Sequence, residues 1–188
     1  MKQIVGLVLL VLLAAATLAA QQAPPAPSVS AVLNRHFRSA ETEFVEAADA
    51  MPENKWGWAP TQGEFKGVRT FAQQVKHLAA ANYMVCAAVL EEKPPVETNG
   101  ETGPESLQAK AEIMKFLRDS FAYCHKALDT ITPESQLKQV KRPFGEGTVT
   151  PLGLAVLNQG HVFDHYGQMV VYLRSNGIIP PASRPQQR

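Results

Sequence analysis

Apolar residues recur three and four positions apart in four separate stretches of this chain, and nowhere do they alternate with polar residues for long enough to build a strand. That spacing stacks apolar side chains on one helical face, which must be buried against other helices, so the fold class is all-α. The first helix is expected over about residues 30–50, on Val32, Leu33, Phe37, Phe44, Val45 and Ala48, with Pro52 beyond its end. The second opens at Thr70, which with Gln73 three residues on forms a capping box, and stops before Pro94. Pro104 is expected to open the third, which runs to about Leu128. Thr150 and Pro151 open the fourth, and Asn176-Gly177 closes it. Four such helices make a four-helix bundle. Two long inter-helix connections, residues 52–69 and 130–149, allow crossover as well as up-and-down order.

With 188 residues, 45% of them apolar, the chain can bury one moderate core, which points to a single domain over residues 30–179. Residues 1–20 read as a signal peptide: Lys2 gives a positive start, residues 4–18 are almost all apolar, and the small Ala19 and Ala20 follow. The apolar run is shorter than the roughly 20 residues of a spanning helix, and no Cys follows it to carry a lipid. The mature chain is therefore expected to be exported, periplasmic or secreted, with no stable membrane span. Residues 21–29 read as a flexible tether and residues 180–188 as a flexible tail, both rich in Pro and Gln.

Eighteen basic residues stand against 17 acidic ones, and losing Lys2 with the signal leaves 17 against 17. A neutral balance offers no phosphate footprint, so no nucleic-acid partner is expected. Cys86 and Cys124 form an even pair that an oxidising compartment allows to become one disulfide; the alternative is two buried thiols. The 52–69 connection carries both tryptophans, Trp56 and Trp58, and fits either a functional loop or a lid packed over the core.

Of five histidines, His161 and His165 are one helical turn apart, the spacing at which a single ion can accept both. At about 100° per residue, Asn158, His161, His165, Gln168 and Tyr172 fall in one narrow stripe beside the apolar face of Val162, Tyr166, Met169, Val170 and Leu173. A polar stripe free of Lys and Glu beside a packing face suits a lined pocket. His77 shares its face of the second helix with Ala80, Ala81, Met84 and Ala88, small enough on the whole to leave room for a metal and a substrate. Equally, the alanines simply favour helix and His77 hydrogen-bonds a neighbour. His36 and His125 sit among charged neighbours and read as surface residues. The segment around His161 lacks the Glu that a zincin helix places beside its first His, and no Glu-x-x-His, phosphate loop or G-x-S-x-G elbow supports another chemistry.

Three runs carry a family resemblance: MPENKWGWAP at residues 51–60, TFAQQVKHLAAAN at 70–82 and HVFDHYGQ at 161–168, with YLR at 172–174 and GIIP at 177–180. Together they resemble the DinB/YfiT-like metalloenzymes across nearly the whole mature chain. The resemblance implies a four-helix bundle that binds one divalent transition metal through three histidines, here His77, His161 and His165. Some members of that family are transferases or isomerases that use bacillithiol or mycothiol, and many have no established activity. This chain departs from the cytoplasmic members in its export signal.

Three neutral imidazoles would leave the ion its full charge and an open position, so the expected function is a metal-dependent hydrolase or thiol-type transferase acting on an unidentified small molecule. Zinc or nickel comes first as the metal, iron or manganese next; the absence of carboxylate ligands leans away from magnesium and calcium. Asn158, Asp164, Gln168 and Tyr172 are the candidates to hydrogen-bond the rings and fix their orientation. No catalytic acid or base is assigned. The alternative is a helical bundle in the envelope that binds a metal or small ligand without catalysis. A homodimer is compatible with either.

Overall fold

The computed structural model describes residues 26–185; the expected signal peptide, most of the tether and the last three residues of the tail lie outside the described residues. Four helices form the molecule: α1 (Val29–Ala50), α2 (Phe71–Leu90), α3 (Lys110–Asp129) and α4 (Pro151–Ser175). Three of them start where a side chain can satisfy an orphan N–H. Ser28 Oγ accepts from Ala31 N, and Thr150 Oγ1 accepts from Gly153 N at 3.0 Å. At α2 both halves of the capping box form: Gln73 N–H donates to Thr70 Oγ1 and Thr70 N–H to Gln73 Oε1, at 3.3 and 2.8 Å.

The third helix begins at Lys110, not at Pro104. The Lys76 ammonium donates to the carbonyls of Pro104 and Leu107, at 3.2 and 3.3 Å, and Pro104 O accepts from Leu107 N in a single turn that does not continue as helix. Glu112 then reaches back to accept from Gln108 N and Ala109 N, so the start is capped from inside the helix. Gly103, just before, has φ +74°, a conformation that a side chain would strain. The connection over residues 91–109 is accordingly long as well.

The packing places α2 beside α3 and α4, and α1 beside the same two. Helices α1 and α2 therefore face each other across a diagonal, as do α3 and α4, and residues 51–70 and 130–150 each span a diagonal, which is why both are long. The core between the helices holds Phe37, Phe44, Phe71, Leu78, Leu117, Phe121, Met169 and Leu173, all essentially inaccessible. The 130–150 connection folds a small antiparallel ladder in which β1 (Val140–Lys141) pairs with β2 (Thr148–Val149). Two residues per strand leave no alternation for sequence to reveal.

The tryptophan connection packs as a plug. Trp56 is buried, donates its indole N–H to Met51 O at 2.9 Å and lies 5.6 Å beneath the Lys110 ammonium. The carbonyls of Trp58 and Trp56 accept from Phe71 N and Ala72 N, satisfying two more donors at the start of α2. Cys86 and Cys124 are bonded, joining α2 to α3. His36 is exposed, but His125 is not the surface residue expected from its charged neighbours. Its ring spans Asn34 Oδ1 at 2.5 Å and Glu41 Oε2 at 2.8 Å on α1 and stands edge-on to Phe37. At the C-terminal end, Pro181–Ser183 makes one 3-10 turn against α1. Among the described residues no helix is long and apolar enough to cross a membrane.

Candidate metal centre

Adjacent packing of α2 and α4 brings His77 to the two rings one turn apart on α4. One ligand atom from each of His77, His161 and His165 can be chosen so that all three lie within 4.8 Å of one another. His161 Nε2 is 2.9 Å from His165 Nε2 and 3.3 Å from His77 Nε2, and the rings meet edge to face. His77 and His165 are buried, while His161 is half-buried and forms the accessible side of the group.

The outer nitrogens settle where the protons are. His77 Nδ1–H donates to the Glu101 backbone carbonyl at 2.7 Å, and His165 Nδ1–H donates to Gln74 Oε1 at 2.8 Å. Both partners are acceptors, so a neutral ring at either position presents a bare lone pair at Nε2. His161 can offer one hydrogen at most to the two nitrogens facing it. The group is short of protons, with lone pairs converging from two helices.

Further protonation is opposed. Burial lowers the pKa of His77, against the pull of the Glu101 carbonyl. His161 is lowered by burial and then by the His77 charge. His165 falls to about 3, through burial first and the charges of His161, His77 and Arg69 after it. A cation that accepts lone pairs without bringing a proton fits this donor set, and three imidazoles suit a transition metal rather than calcium or magnesium.

Behind His165 runs a directed chain of hydrogen bonds. Gln74 Nε2–H donates to Gln168 Oε1 at 2.8 Å, and Gln168 Nε2–H to Asp164 Oδ2 at 3.2 Å. Every donor points toward the carboxylate, an arrangement that raises the basicity of the inner nitrogen at its other end.

The four residues expected to hold the rings are thus placed differently, and none of them hydrogen-bonds a ring directly. Gln168 and Asp164 act through Gln74. Asn158 turns its amide to the disulfide, with Nδ2 3.7 and 3.6 Å from the sulfurs of Cys86 and Cys124, and its buried Oδ1 has no partner. Tyr172 donates its hydroxyl to Arg69 O at 2.8 Å and packs edge-on against Trp58. Sequence reasoning missed Gln74, Glu101 and Arg69. Only Gln74 carried a signal, as a polar residue whose helical position proves to be buried among apolar neighbours.

The room expected beside Ala80 and Ala81 is not there, because both are fully packed. Met84 and Ala88 instead line a cavity of about 540 Å³ near the end of α2, which none of the three histidines lines. A second cavity, of about 360 Å³, lies along the outer side of α2 between Arg69, Lys76 and the 99–105 segment that carries Glu101.

The profile of the DinB superfamily matches residues 36–169, and the chain belongs to that superfamily. A DinB-like protein from Bacillus subtilis superposes with a TM-score of 0.61 at 17% identity, over 81% of this chain and 99% of its own. A conserved protein from Enterococcus faecalis gives 0.63 at 18% identity, over 79% and 97%. A mycothiol-dependent maleylpyruvate isomerase gives 0.57 at 15% identity, over 73% of this chain and 59% of the isomerase. At these identities the likeness is one of fold. Comparison with curated proteins finds no match.

Proposed function

We propose that this chain is an exported metal-dependent enzyme, a hydrolase or thiol-type transferase acting on a small molecule, in which His77, His161 and His165 hold one divalent transition metal. Zinc or nickel is the first choice, iron or manganese the next. The observation that carries the reading is the proton-poor group itself: Nε2 lone pairs of His77 and His165 meeting at His161, with both outer nitrogens already committed as donors. A metal bound there supplies a Lewis acid that lowers the pKa of a coordinated water or thiol. The chain's own residues supply the rest. Glu101 O and Gln74 fix the tautomers of two rings, and half-buried His161 leaves the group accessible from one side. A thiol-dependent isomerase of the same fold supports the transferase branch, and the signal-like segment at residues 1–20 supports export.

The test is elemental analysis of the mature chain, purified without an affinity metal column, beside His77→Ala, His161→Ala and His165→Ala. Near-stoichiometric metal in the parent and little in each variant is expected; full occupancy in all three variants refutes the site. Water-proton relaxation of the manganese-loaded chain separates catalysis from storage. Fast-exchanging water on the ion is expected, and its absence favours the binding-only alternative.

A further inference from the structure

The junction between the tryptophan connection and α2 presents a cation with nothing to pair it. Arg69 stands immediately before the helix cap Thr70, half-buried, with its backbone carbonyl held by the Tyr172 hydroxyl at 2.8 Å. That bond pins the residue where α2 meets α4, the two helices that carry the histidines. Among the described residues its guanidinium has no hydrogen-bond partner and no carboxylate within ion-pair distance. Its charge reaches all three rings and opposes their protonation. The same field opposes a dication at those rings, while the Glu101 carboxylate, 3.9 Å from His77 Nδ1, and the Asp164 carboxylate near His161 pull the other way.

We infer that Arg69 anchors the carboxylate of a small organic acid, in the cavity of about 360 Å³ that it lines together with Gln73, Lys76, Thr102 and Glu105. None of the three histidines lines this cavity, and only its coupling to a metal rests on the proposed metal site. The walls select the kind of anion. Lys76 spends two of its N–H bonds on the carbonyls of Pro104 and Leu107 and keeps one. Gln73 and Thr102 add neutral polar surface, and Glu105 sets a negative charge on the same wall. One forked guanidinium with one further N–H matches a carboxylate, which Arg grips through two parallel bonds. Glu105 disfavours a dianionic phosphate. The volume admits a small organic acid rather than a peptide or a nucleotide.

An anion paired with Arg69 offsets that one charge near the rings, so the two ligands assist one another, and by linkage each tightens the other equally. The test uses the full mature chain, zinc-loaded and metal-free, titrated with butanoate and its uncharged isostere butanamide while amide NMR shifts are followed. Butanoate is expected to move the resonances of residues 69, 73, 102 and 103 and to raise zinc affinity, butanamide to do neither.

Arg69→Gln should weaken butanoate at least tenfold, Arg69→Lys less, and Glu105→Gln should tighten it. Butanoate binding unchanged in Arg69→Gln, or matched by butanamide, overturns the inference whatever the metal does. If zinc fails to bind while butanoate still depends on Arg69 in the metal-free chain, the metal reading falls and the anion site stands. Should Arg69→Gln fail to fold, the Arg69→Lys and Glu105→Gln titrations decide: no change in either overturns the inference.

Discussion

Lowering the pH should destabilise the metal-free protein through His165 in particular. In the unfolded chain this imidazole charges below about 6.5, whereas in the folded chain burial and the His161, His77 and Arg69 charges hold it near 3. Between those values the unfolded state binds the extra proton, so stability falls as the pH falls through that window and is regained as the pH rises above 6.5. At pH 5 the unfolded ring is almost fully charged and the native ring neutral, which costs about 2 kcal/mol relative to pH 7.5. The residue is 5% exposed, so solvent screens little of this. Urea unfolding in the presence of a chelator, at both pH values, measures it for the parent and for His165→Gln. The carboxylates titrate alike in the two proteins and cancel. The parent should therefore lose about 2 kcal/mol more than the variant. Losses equal to within about 0.5 kcal/mol, the resolution of such extrapolations, would refute the assignment of a buried, proton-resistant ring.

Reducing the bond between Cys86 and Cys124, 38 residues apart, should cost about 4 kcal/mol from loop-closure entropy, read as the urea midpoint with and without reductant; a change below about 1 kcal/mol would contradict it. Gln74→Leu should weaken zinc binding about 10–100-fold in competition with a chromophoric chelator, and Gln168→Leu less, because Gln168 acts only through Gln74; equal effects would break the relay. Gly103→Ala should cost about 1–3 kcal/mol in thermal unfolding, since the residue sits at φ +74° and the new methyl group would lie 3.1 Å from Lys76 Cβ.

The helices were legible because their signals are local. The Thr70–Gln73 box and the Thr150-Pro151 start lie within one turn and formed as written. The start of α3 was misread because Pro104 satisfies the local rule for a first helical residue, while Lys76, which donates to its carbonyl, lies on another helix. His125 illustrates the same limit: its charged neighbours are adjacent in sequence, but Asn34 and Glu41 arrive from α1. Among the candidate ligands, the spacing of His161 and His165 could be read from periodicity. His77 stood out by its small-residue face, with a plain hydrogen-bonding role as an equal alternative, and only the family resemblance joined it to the other two. The Glu101 carbonyl is a backbone group that any residue supplies, so nothing in the side-chain pattern marks it. Asn158 shares the histidine stripe by helical phase, yet its amide goes to a disulfide whose pairing helical phase does not encode.

The diagonal arrangement gives the two seams of α2 different characters. Sulfur fastens it to α3, whereas side chains alone hold it to α4, where two of the three imidazoles ride. A cation shared by both helices would be a removable rivet on the one seam free to part. Affinity for the ion and closure of that seam then become a single thermodynamic quantity, so stripping the metal should let α4 breathe while the α2–α3 pair stays shut.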